Sequence, residues 1–204
     1  MKYLKMLGLA AIAAAALMAF AGAGTASATE LTCGSSLCAV GTTFHSVSIG
    51  KAVLDAPFGN VECESTVHGH VTDPGSPTTT AKVELTEIIW TNCGSDNVVT
   101  LAKGTLEIHT EESTPAPNVS ANNGTVTSTG AEVTVEHVGT HCIFKTNGTD
   151  LGTLTGSANT GGTPKFDISA TIPRSGGRSG VFCGSSAPWT GSYTIDAPMT
   201  GNVD

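Results

Sequence analysis

Positive charge is scarce in this chain. Lys and Arg number 9 against 17 Asp and Glu, for a formal net charge of −8. That balance excludes a nucleic-acid binder and a protein held on an anionic membrane by charge. Charged residues of either sign make up only 13% of the 204 residues, while hydrophobic ones reach 39%. A disordered, charge-solvated tail is excluded on that ground. Aromatic residues are few, at 5%. Close Cys-x-x-Cys pairs are absent, so a structural zinc site of the usual spacing is not encoded. Gly-x-Ser-x-Gly is absent as well, and Gly177-Arg178-Ser179-Gly180 is only a glycine-rich loop. Past the N-terminus no second apolar run reaches the length of a membrane span.

What the N-terminus does contain is a leader. Lys2 and Lys5 precede an apolar run from Met6 to Phe20, and small residues then lead to Ala26-Ser27-Ala28. A basic region, an apolar region and an Ala-x-Ala site make a secretory signal peptide with cleavage after Ala28. Residues 1–28 are therefore expected to be removed. Residues 29–204 form a single secreted domain, released or associated with the cell wall and without a membrane span.

The exported part alternates with a period of two and shows no helical periodicity. From 61 to 71 the odd positions are Val61, Cys63, Ser65, Val67, Gly69 and Val71, against Glu62, Glu64, Thr66, His68 and His70. One face of such a strand lies on a core. Phe166, Ile168 and Ile172 alternate in the same way, as do Trp189, Tyr193 and Ile195. Ala81 to Leu85 alternates, but Ile88-Ile89-Trp90 is continuously apolar, which predicts a bulge or burial on both faces. Asn147-Gly148 and Lys103-Gly104 predict hairpin turns. Polar stretches at 73–80, 111–124, 157–164 and 174–180 read as loops, with 111–124 the expected place for recognition. About nine or ten strands at regular spacing predict an all-β, antiparallel sandwich of Greek-key, Ig-like or jelly-roll type. A β-barrel is the alternative, disfavoured here because so few aromatics are available to surround a ligand.

All six cysteines, Cys33, Cys38, Cys63, Cys93, Cys142 and Cys183, lie in the exported part. An even count outside the cytoplasm predicts three disulfides, and six cysteines allow about 15 connectivities. Sequential pairing is the expectation: Cys33–Cys38 around a turn-forming insert, then Cys63–Cys93 and Cys142–Cys183. Cys63 shares its face with Val61 and Val67, and Cys142 with Phe144, so both longer bridges should sit against the core.

The run of Val61-Glu62-Cys63-Glu64-Ser65, Trp90-Thr91-Asn92-Cys93, His141-Cys142-Ile143-Phe144 and Trp189-Thr190-Gly191-Ser192-Tyr193 after Cys183 resembles secreted, β-rich, cysteine-containing proteins of high-GC Gram-positive (actinobacterial) bacteria. The resemblance implies the fold class, export and disulfides. It implies no site residues.

Chemistry has one candidate centre. His68 and His70 point to the same face of a strand, about 7 Å apart at Cα. With Glu62 and Glu64 on that face, they could take Zn²⁺ or Cu²⁺ if another strand supplied a third ligand, for which His109, His137 and His141 are donors. Trp90, Trp189 and Tyr193 could stack sugars, but the shared face of Trp189, Tyr193 and Ile195 predicts core. No catalytic residues are singled out and no cofactor is expected. The expected function is a non-enzymatic extracellular or cell-envelope binding or structural module, with a protein or polysaccharide partner. The alternative is a metal-binding protein or metal-dependent hydrolase built on His68 and His70.

Overall fold

The computed structural model describes residues 30–33, 36–76, 79–110, 123–155, 163–176, 182–196 and 199–202. The leader, including the cleavage site at Ala28, lies outside them, as do residues 111–122 of the expected recognition loop. The described residues are all strand and turn. Three strands, β1 (Glu30–Cys33), β2 (Ser36–Leu37) and β13 (Met199–Asn202), form a small sheet in the order β13-β1-β2. The other ten are β3 (Thr43–Ser48), β4 (Ala52–Ala56), β5 (Gly59–Asp73), β6 (Ala81–Thr91), β7 (Asn97–Ala102), β8 (Thr105–Thr110), β9 (Asn123–His137), β10 (Thr140–Thr155), β11 (Lys165–Gly176) and β12 (Ser186–Asp196).

These ten close on themselves, so the sandwich expectation is corrected to a barrel. β5 pairs antiparallel with β6, β6 with β8, β8 with β9, β9 with β10, β10 with β11, and β11 with β12. β12 then pairs with both β3 and β4, which pair in turn with β5 and shut the ring. Two positions in the ring are split. β3 and β4 lie end to end along β5, and β7 and β8 lie end to end along β9, giving an 8-strand antiparallel barrel. Closure pairs most of the described strands on both sides, although β6 beyond Glu84 and β7 have no ladder between them.

The bulges that produce this closure sit where turns were expected. Gly148 does not end a strand; Thr140–Thr155 runs through it, and the register to β9 shifts on either side of Asn147. The hairpin in this region is instead at Val138-Gly139, with φ of 48° and 79°. Lys103-Gly104 joins β7 to β8, but these strands pair with β9 and not with each other. A Cβ on Gly104 would lie 2.3 Å from the Ala131 nitrogen, so only glycine allows this contact at φ 74°. In both places a positive-φ glycine bends a strand without reversing it, and such bends curve a sheet into a barrel. The bulge expected in β6 is present: His68 pairs with Glu87 and Gly69 with Leu85, leaving Thr86 as the extra residue.

Alternation then fills the interior. In β5, Val61, Cys63, Ser65, Gly69 and Val71 are buried, while Glu62 and Thr72 are exposed. On β6 the bulge moves the inward set from Ala81, Val83 and Leu85 to Ile88 and Trp90, leaving Ile89 outside. An apolar interior with Glu62, Lys82, Glu84 and Glu87 outside is the reverse of a lipid-facing barrel. No described helix is long and apolar enough to cross a membrane.

The three disulfides are those expected. Cys33–Cys38, Cys63–Cys93 and Cys142–Cys183 have Cα separations of 4.8, 4.2 and 5.5 Å. Cys63, Cys142 and Cys183 are buried in the same cluster as Phe144 and Ile172. At the opposite end Leu31 and Cys38 are buried with Phe44, Val71, Ala81 and Ile195, so the small sheet covers that end of the barrel.

Candidate functional site

Between the two end clusters lies a cavity of about 140 Å³. Val67, Leu106 and Phe166 touch both clusters and line it. They point inward and yet are only partly buried, because the surface left to them is the cavity itself. A barrel of eight strands is just wide enough for side chains to fill or for one small ligand to occupy. Short side chains, Ser46, Val67, Ser128, Ala131, Val133 and Thr146, are among the lining residues. Six aromatics also line it, so an aromatic content of 5%, expected to count against a ligand-holding barrel, does not prevent a cavity.

Its chemistry is defined by what lines it. Among the lining residues there is no Asp, Glu, Lys, Arg or His. The hydroxyls are already engaged: Ser46 Oγ donates to the Thr194 carbonyl at 3.0 Å, and the Ser128 and Thr146 hydroxyls share a hydrogen bond of 2.9 Å. Tyr193 and Ser65 do the same at 2.7 Å. Among the described residues no buried side-chain polar atom lacks a partner. The wall therefore carries no charged or imidazole group, and its Ser, Thr and Tyr hydroxyls are hydrogen-bonded within the protein; the space suits an uncharged, largely apolar molecule.

Burial of Tyr193 has a measurable consequence. Desolvation pushes its phenol up from 10.0 to about 12, against the smaller opposing effect of the Ser65 hydrogen bond. A raised folded-state pKa contributes stability that is present below pH 10 and lost as pH rises through 12, on the order of 3 kcal/mol. Tyr193 is the sole tyrosine of residues 29–204. Phenolate absorbance of that domain should titrate near pH 12 when folded and near 10 in denaturant. Equal midpoints would show that the phenol is not buried.

The histidines behave differently. His68 and His70 do share the outer face of β5, as the alternation predicts. The His68 ring lies 4.6 Å from the ring of His45, whose Nδ1 is 3.0 Å from Asp196 Oδ2. His70 Nε2 lies 3.8 Å from Glu84 Oε2. The two thus have separate neighbours. His109, His137 and His141, the proposed donors, are engaged with Glu107, Asp96 and Glu136. Among the described residues no three His, Cys, Asp or Glu side chains come together to hold a metal ion. Trp90, Trp189 and Tyr193 all line the interior, with the two indoles 6.2 Å apart, so they present no outward platform for sugar rings.

Fold and site together define an up-and-down antiparallel β-barrel, stapled by three disulfides around an apolar, uncharged cavity. No family model, no curated protein and no solved structure matches the chain. Sequence reasoning did not find the cavity, although its lining was visible as alternating Val, Leu and Ile. The missing information was which strands face one another.

Proposed function

We propose that this protein is an exported, non-enzymatic binding module whose barrel interior takes one small, uncharged, apolar molecule. The observation that carries the reading is the apolar cavity of about 140 Å³ with no charged residue in its wall. An apolar cavity of about 150 Å³ stays dry and accommodates a benzene-sized molecule. Three disulfides suit an oxidising compartment, in keeping with the leader, and favour a secreted or cell-envelope location.

Toluene is the direct probe. At about 100 times its Kd, a ligand bound only by the folded state stabilises by about 2.7 kcal/mol, a rise of roughly 5–10 °C in Tm. Phenol, similar in size, should shift Tm less, because its hydroxyl gives up water in a mostly apolar wall whose own hydroxyls are already hydrogen-bonded within the protein. Val67→Phe, which adds volume at the middle of the cavity, should abolish the toluene shift in a protein that still unfolds cooperatively. No shift with toluene or benzene, or equal shifts with toluene and phenol, would overturn the reading.

A further inference from the structure

A ligand held inside a barrel needs a way in, and both ends of this one are covered. Leu31 and Cys38 are buried at one end. At the other, the Phe58 and His137 rings lie 5.7 Å apart, and His137 Nδ1 is 2.6 Å from Asp96 Oδ1. The wall is less continuous. β6 pairs with β8 only from Ala81 to Glu84. Beyond that point its remaining residues run beside β7, which forms a backbone ladder with β9 and none with β6. One side chain bridges the seam. Thr100 Oγ1 accepts from Trp90 Nε1 at 3.1 Å and donates to the Ile88 carbonyl at 3.0 Å.

The residues on both sides of the seam suit apolar traffic. Ile88, Trp90 and Val98 line the cavity from within. Outside, Ile89, Val99 and Leu101 are 39%, 43% and 53% exposed. A second irregular stretch of the wall, where pairing of β10 with β11 skips from Phe144 to Gly152, presents Lys145, Asn147, Asp150, Ser169 and Thr171 outward. That surface is polar. We propose that the apolar ligand enters and leaves through the β6–β7 seam, with the Trp90 indole as the gate and the Thr100 hydroxyl as its latch.

This inference rests on the cavity-binding reading, and the test separates the two. Toluene exchange with the oxidised mature protein is measured by NMR line shape, alongside Kd from calorimetry. Thr100→Val removes both hydrogen bonds of the latch, and should speed association and dissociation together by about tenfold. Kd should change less than about threefold, since Thr100 does not line the cavity. Thr100→Ser, which keeps the hydroxyl, should restore wild-type rates, and Thr171→Val, on the polar stretch of β11, should leave them unchanged. Toluene that binds wild-type protein but exchanges at the same rate in Thr100→Val overturns the entrance and spares the cavity. So does an equal acceleration by Thr171→Val. Toluene that does not bind wild-type protein overturns both.

Discussion

Removing the Cys142–Cys183 bridge is expected to cost about 4 kcal/mol. The bridge joins residues 41 apart in sequence, and closing a loop of that length removes roughly this much conformational freedom from the unfolded chain. For a domain of this size the loss corresponds to a fall of roughly 8–16 °C in Tm. It is a large share of the ~5–15 kcal/mol that holds a domain folded. Alanine is the substitution to use at both positions, because Cys142 and Cys183 are each 0% exposed and a serine hydroxyl would be buried there. The Cys63–Cys93 pair, 30 residues apart, should cost nearly as much, and Cys33–Cys38, only 5 apart, about 2 kcal/mol. Urea unfolding of the three double variants gives the ranking. A Cys33–Cys38 variant as unstable as the Cys142–Cys183 variant would show that loop length does not set the cost.

Phe144→Ala should be comparably destabilising, by about 3–5 kcal/mol. Phe144 is the largest of the fully buried side chains, 1% exposed, and it forms part of the cavity wall. It lies on β10, where it pairs with Val133 in the ladder to β9 and with Arg174 of β11, next to the stretch where the β11 ladder is interrupted. The β9 ladder holds this backbone against collapsing into the space a phenyl ring leaves, which keeps the cost within that range. The same truncation enlarges the cavity. Naphthalene, too large for the wild-type cavity, should raise the Tm of Phe144→Ala and leave that of the wild type unchanged. A variant that loses less than about 1 kcal/mol, or fails to gain naphthalene binding, would show that the barrel relaxes around this site.

The elements that were legible in the sequence are those governed by near neighbours. The alternation of Val61, Cys63, Ser65 and Val67 with Glu62, Glu64 and Thr66 depends only on the two-residue repeat of a strand, and the buried and exposed faces of β5 follow it. The bulge expected near Ile88-Ile89-Trp90 lies just before that run, at Thr86, and the run itself alternates, with Ile88 and Trp90 inside and Ile89 outside. The burial of the two longer disulfides was legible because Cys63 and Cys142 each stood on a face already marked as core; the sequential pairing was an expectation that the structure bears out.

Turns were misread where one local conformation serves two purposes. Asn147-Gly148 and Lys103-Gly104 supply the positive φ that a hairpin requires, but a bulge requires it too. Only the partner strand distinguishes them. With β9 passing both β7 and β8, the Lys103-Gly104 bend continues a strand that a hairpin would have reversed. The true hairpin, Val138-Gly139, carried a β-branched residue in a conformation such residues rarely adopt, so composition gave no sign of it.

The sequence by itself determined that the described chain is built of strands and which face of those that alternate is apolar. It marked Cys63 and Cys142 as core, but left the pairing of the six cysteines as one expectation among about 15 connectivities. Whether those strands stack as two sheets or curl into one ring was decided by tertiary structure. Closure depends on the ladders of β12 with β3 and β4 and of β9 with β10, and on bulges whose bending adds up around the whole sheet. The cavity was decided there as well. A void is set by the distance from Val67 across the barrel to side chains such as Val133, on a strand far along the chain, and no local pattern carries that distance.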